Sequence, residues 1–153
     1  MTTAIDTLAG WAGTYIGLGD NHEGEAFTGR LVVTPVVGGL AVRLAFRATG
    51  DDGTVFHEEE TLVTGSQAGP VLFTVSSNLG GGLLHESRSP AEPVSGATTL
   101  VFGAGDRDDP GSFREEIAID LHDDGSMGYR FAWGLPGGDF ADRSAVRMRP
   151  DTA

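Results

Sequence analysis

The stretch VFHEEETLV, residues 55 to 63, sets four consecutive ionisable residues, His57, Glu58, Glu59 and Glu60, between apolar ends suited to a buried β-strand. Within it, His57 or Glu59 is equipped to move a proton, and Tyr129, in MGYRFAW at 127 to 133, offers a phenol that can donate to a developing oxyanion. These three are the candidate catalytic residues. Side chains alternate between the faces of a strand, so whichever face is buried takes His57 and Glu59 or Glu58 and Glu60 with it. An unpaired buried carboxylate costs on the order of several kcal/mol, so it must be paired, hydrogen-bonded, protonated or bathed by water in a cavity. A twisted or bulged strand that leaves all three glutamates in solvent is the alternative, and the sequence leaves this register open.

Other chemistry is weaker. The four histidines, His22, His57, His85 and His122, stand on separate strands or loops without HxH or HExxH spacing, so no metal site is expected. His22, in DNHEGE, and His122, before the Asp123-Asp124-Gly125 turn, are expected in solvent, whereas His57 and His85 fall inside strands. DRDDPGS at 106 to 112 lacks the spacing and terminal Glu of a calcium loop. GLGDNHEG and NLGGGLL do not join a strand to a helix, so they do not read as phosphate cradles, and there is no GxSxG elbow.

These candidates need a scaffold. Short apolar alternations separated by glycine predict ten strands: 14 to 19, 27 to 37, 40 to 49, 54 to 64, 71 to 77, 83 to 89, 97 to 102, 113 to 121, 127 to 134 and 139 to 148. Gly38-Gly39, Asp52-Gly53 and Asp124-Gly125 are tight-turn signals, while GSQAGP, NLGGG, SPAEPVSG and LPGGD are longer loops. Only TAIDTLA, residues 3 to 9, has the makings of a helical turn or two. A meander of hairpins removes its exposed edges by closing on itself, so the expected fold is all-β, a single antiparallel up-and-down barrel spanning residues 1–153.

Alternation also assigns the inner face. Leu40, Val42, Leu44 and Phe46 oppose Arg43 and Arg47; Phe113, Ile117, Ile119 and Leu121 oppose Arg114, Glu116 and Asp120. Met127, Tyr129, Phe131 and Trp133 share one face of the ninth strand. With Phe73 and Phe102 they predict an aromatic interior, and a barrel of this size can be hollow. The expected ligand contacts are Phe46, Phe73, His85, Phe102, Phe131 and Trp133.

Composition narrows the partners. A formal charge of -12, with 22 acids against 10 bases that are all Arg, would repel phosphate backbones, so nucleic acid is not an expected partner. There is no cysteine for disulfides or thiolate-metal sites, and no apolar run approaches a membrane span or a signal segment. These features suggest a cytoplasmic protein without a membrane partner; the absence of Lys suggests a GC-rich bacterial genome. A homodimer is left open.

The segment LAGWAGTYIGLG, residues 8 to 19, is a helical turn running into a Gly-rich first strand, and it resembles the opening of calycin-type barrels, which include lipocalins, fatty-acid-binding proteins and nitrobindins. The resemblance implies that Tyr15 stands where Trp is usual and that Arg143 or Arg147 is the Arg that packs on it. GTYIG followed by His57-Glu58-Glu59 is most similar to nitrobindin-like barrels. Nitrobindins bind haem through a histidine near the C-terminus, and no histidine follows His122 here, so the resemblance carries the fold and no cofactor is expected.

The function expected first is binding of a small, largely apolar or aromatic molecule inside the barrel, oriented by His57, Tyr129 and His85. The alternative is a cofactor-independent isomerase or cyclase using acid-base catalysis on a natural-product intermediate in the same cavity. A purely structural role is a third reading without a surface feature to carry it.

Overall fold

The computed structural model describes residues 2–90 and 92–152; Met1 and Ala153, at the ends of the span 1–153 expected to form one domain, and Ala91, in the expected SPAEPVSG loop, lie outside the described residues. A short helix α1 (Ala4–Ala9) precedes ten strands: β1 (Gly13–Asp20), β2 (Ala26–Val36), β3 (Ala41–Thr49), β4 (Val55–Ser66), β5 (Gly69–Ser76), β6 (Gly81–Arg88), β7 (Ala97–Ala104), β8 (Arg114–His122), β9 (Met127–Gly134) and β10 (Ala141–Pro150). Each strand pairs antiparallel with its sequence neighbours, and β1 pairs with β10, which closes the barrel. The tight turns form where glycine can take positive φ, as Gly53 and Gly125 do at +86° and +85°.

The two ends of the barrel differ. At one end α1 packs against β2, β3 and β4 and buries Ile5 and Leu8, its first turn fixed by a capping box between Thr3 and Asp6. The strand ends there contribute Tyr15, Leu31, Val42, Leu72, Met127 and Met148, all buried, so this half is a solid apolar core. Toward the other end the inward positions become polar and aromatic: Phe46, Glu59, Thr74, His85, Glu115 and Tyr129. At that end β6 and β7 share only the pairs Glu86↔Gly103, Ser87↔Phe102 and Arg88↔Val101, so the ladder between them stops short of Gly81–His85.

Two irregularities shape the open end. Ala48 pairs with His57 and Thr49 with Val55, which leaves Phe56 as an extra residue in β4; a bulge of this kind re-aims side chains. Arg143 is the corresponding extra residue of β10, between the pairs of Asp142 and Ser144.

Several expected placements need correction. Phe73 is 46% exposed because Thr74 is the inward residue of β5, bonded to Thr61, while Phe73 lies in an outer row between Leu62 and Leu84. Leu40 is exposed because it closes the β2–β3 turn before β3 begins. Arg114 is buried on the outer side, where the carbonyls of Ser112, Leu135 and Gly138 accept its hydrogen bonds. Asp120 is buried there as well, held by Arg130 and Thr99.

Candidate functional site

The register of β4 is resolved by its neighbours. Thr61 and Val63 point inward and carry Glu59 with them, while the outward Glu58 and Glu60 pair with Arg47 and Arg43 across the β3–β4 ladder. Glu59 is 3% exposed and takes part in a buried polar chain. Its Oε1 accepts a short hydrogen bond from the Tyr129 hydroxyl, and its Oε2 lies 3.0 Å from His57 Nε2. Burial, the Glu59 charge and the hydrogen bond to Glu59 push the Tyr129 phenol well above its ordinary range, so it remains a donor. With Tyr129 donating to one oxygen, the geometry suits His57 donating Nε2–H to the other, which leaves Nδ1 as the imidazole's acceptor.

Aromatic rings hold this chain in place. Phe46 lies 5.0 Å from the Tyr129 ring and 6.0 Å from the His57 ring, and Phe131 meets both His57 and Tyr129 edge-on at 5.3 and 5.1 Å. His57, Phe46, Phe131 and Trp133 line a cavity of about 250 Å³ at the open end. Its rim adds His22, Asn78 and Arg143, and deeper polar groups come from Ser76 and Glu115.

Not every expected contact is in that cavity. His57, Phe46, Phe131 and Trp133 are brought together; Glu59 and Tyr129 stand behind His57 and do not line the space, so they are linked to it through the imidazole. Phe102 is buried against Ile117 away from the cavity, and Phe73 is outside the barrel. His85 is fully buried, 3.7 Å from Glu115, and reaches the cavity only through it.

Three groups escaped sequence reading. His22, expected in solvent, packs edge-on to Trp133 at 5.4 Å. Arg143 lays its guanidinium 4.4 Å over the same ring and donates to the carbonyls of Trp133 and Asp139. Arg147 instead bonds Ser126 and Asp124, so among the described residues the rings beneath a guanidinium are Trp133 and Phe140, not Tyr15. Glu115 is the third, missed although its phase with the inward Ile117 and Ile119 was a signal for it.

The residues do not fit haem. The cavity is smaller than the ~300–1,000 Å³ typical of drug-sized ligands, well short of a macrocycle, and β10 carries no histidine to reach an iron. Among the described residues no cluster of three or more His, Asp or Glu is arranged to hold a metal ion. None of the described helices is long and apolar enough to cross a membrane.

No family model matches the chain, and no curated protein does. Among solved structures, the chain is similar to the crystal structure of Rv2717c from M. tuberculosis, at 13% identity and a TM-score of 0.72, covering 97% of both chains. A de novo designed fluorescence-activating β-barrel matches at 14% identity and a TM-score of 0.48, covering 94% of this chain and 96% of the design. The first of these likenesses shows the fold alone, a closed antiparallel β-barrel. Such a barrel is compatible with binding a small molecule.

Proposed function

We propose that the protein binds a small, largely apolar or aromatic molecule in the open end of its barrel. Phe46, Phe131 and Trp133 would wall the guest and His57 Nδ1 would orient its polar edge. The observation that carries this reading is the aromatic-walled cavity of about 250 Å³ with one pre-oriented imidazole in its lining. Burial of flat apolar surface supplies affinity, and one fixed polar group supplies orientation. In this reading the chain is a nitrobindin-like barrel whose cavity serves a guest smaller than haem. Native mass spectrometry of the protein isolated from its own host tests it. A retained small molecule is expected, and Phe131→Trp, which fills the cavity, is expected to release it. A bare-chain mass together with no saturable uptake of naphthalene-sized aromatics would reject the proposal.

A second reading is a cofactor-independent isomerase or cyclase, favoured by the chain Tyr129–Glu59–His57. A carboxylate that fixes the tautomer of an imidazole is the usual way to prepare a general base, and the imidazolium formed on proton uptake would face the buried Glu59 charge. In D2O, the wild type should wash deuterium into an acidic C–H of the retained molecule and His57→Gln should not, with affinity within about tenfold. Equal exchange in both proteins would remove catalysis and leave the binding function standing.

A further inference from the structure

We infer that Glu115, backed by His85, is a second polar subsite of the cavity, and that it selects guests carrying an O–H or N–H donor. This rests on the binding function proposed above. Glu115 is 6% exposed and His85 is fully buried, yet among the described residues Glu115 Oε2 and both ring nitrogens of His85 have no hydrogen-bond partner. Their mutual approach, 3.7 Å between His85 Nε2 and Glu115 Oε2, is too long for a hydrogen bond. Buried polar groups are nearly always satisfied, so an unmet carboxylate on a residue that lines the cavity marks a place for a donor from outside the chain, which Oε2, closed off beside His85, would reach by a turn of the carboxylate toward that space.

The geometry supports that assignment. Glu115 pairs directly with Trp133 across the β8–β9 ladder, so the carboxylate adjoins the indole in the wall of the same space. Among the described residues no arginine bonds it, whereas the neighbouring Glu116 is taken by Arg88 and Arg107 on the outer side. His85 comes from the part of β6 that β7 leaves unpaired, behind Glu115. A guest hydroxyl or amine that donates to Glu115 would complete the carboxylate. His85, once drawn toward the same oxygen, positions it without touching the guest.

Two probes of similar shape separate this inference from the cavity itself. 2-Naphthol has a donor and 2-methoxynaphthalene does not; binding of each is read by calorimetry and by Trp133 fluorescence. Wild type should hold 2-naphthol at least about tenfold more tightly, the loss expected for one hydrogen bond to a charged acceptor. Glu115→Leu should bind both probes equally, and the isosteric Glu115→Gln should cut the preference at least about threefold while folding like the parent. His85→Phe should lower the preference and leave 2-methoxynaphthalene binding unchanged. Equal binding of the two probes to wild type overturns the subsite but not the cavity, because a buried water or a small rotation would then satisfy Glu115. A preference that survives in both Glu115 variants overturns it in favour of His57 Nδ1. Failure of both probes to bind wild type overturns the cavity reading and the subsite with it.

Discussion

Tyr129 and Glu59 lie 70 positions apart in the chain yet share one buried hydrogen bond, and the pair shows how few atoms hold the site together. Removing the hydroxyl with Tyr129→Phe leaves Glu59 Oε1 without its donor in a site closed to water. A loss of about 1–3 kcal/mol in urea denaturation is expected, together with a disordered His57 ring. The phenol also sets an alkaline limit. Its folded pKa is raised above the unfolded value, so its contribution is fully present below about pH 10 and lost as pH rises through the folded value. Absorbance at 295 nm should therefore show Tyr129 ionising only together with unfolding. From sequence, the types His57, Glu59 and Tyr129 were legible as a polar group; their division of labour was not. Both registers of VFHEEETLV buried an ionisable residue, and only the partners Arg43 and Arg47, which draw Glu60 and Glu58 outward, decide between them.

Strands were easier to read than their irregularities. All ten strands and the N-terminal helix follow from alternation and turn residues, because a one-residue slip would exchange every inward side chain for an outward one. The bulges at Phe56 and Arg143 have no such signature: an extra residue does not alter composition, and its position depends on the partner strand. Those bulges bring Phe56, His57 and Arg143 to the cavity, so what the pattern missed is concentrated at the site. Closure depends on a different detail. A Cβ at Gly17 of β1 would overlap the Arg147 carbonyl oxygen and lie 2.9 Å from Met148 Cα, so β1 and β10 approach as closely as they do only because the side chain is absent. Gly17→Ala should cost about 1–3 kcal/mol and raise hydrogen exchange in β10 selectively. Uniform exchange across all strands would show that the seam is not where the strain falls.

For the folded chain as a unit, acid is the sensitive direction. Asp124 is held at about 2 by hydrogen bonds from Ser126, aided by Arg147 and Arg149. Burial alone would raise Asp120, but hydrogen bonds from Arg130 and Thr99 outweigh it and keep it below the usual carboxylate range. Depressed carboxylates stabilise fully above their unfolded value, near 3.9, and that stabilisation disappears as pH falls through the folded values. The formal charge of -12 works the other way, since partial protonation on the way toward pH 5 relieves self-repulsion. Thermal midpoints should hold or rise slightly from pH 7 to 5 and fall below about pH 4. Asp120→Asn should flatten that acid limb, and an unchanged limb would place its origin elsewhere.

Helix α1 makes the barrel a blind cup instead of a tube. Whatever enters must back out by the same doorway, leading edge last, so its trailing edge stays nearest bulk water throughout its stay. Under the binding function proposed above, a chemical tether attached at that trailing edge would leave docking intact, and the protein could be fished from solution, or guest analogues ranked, on a surface carrying such a tether.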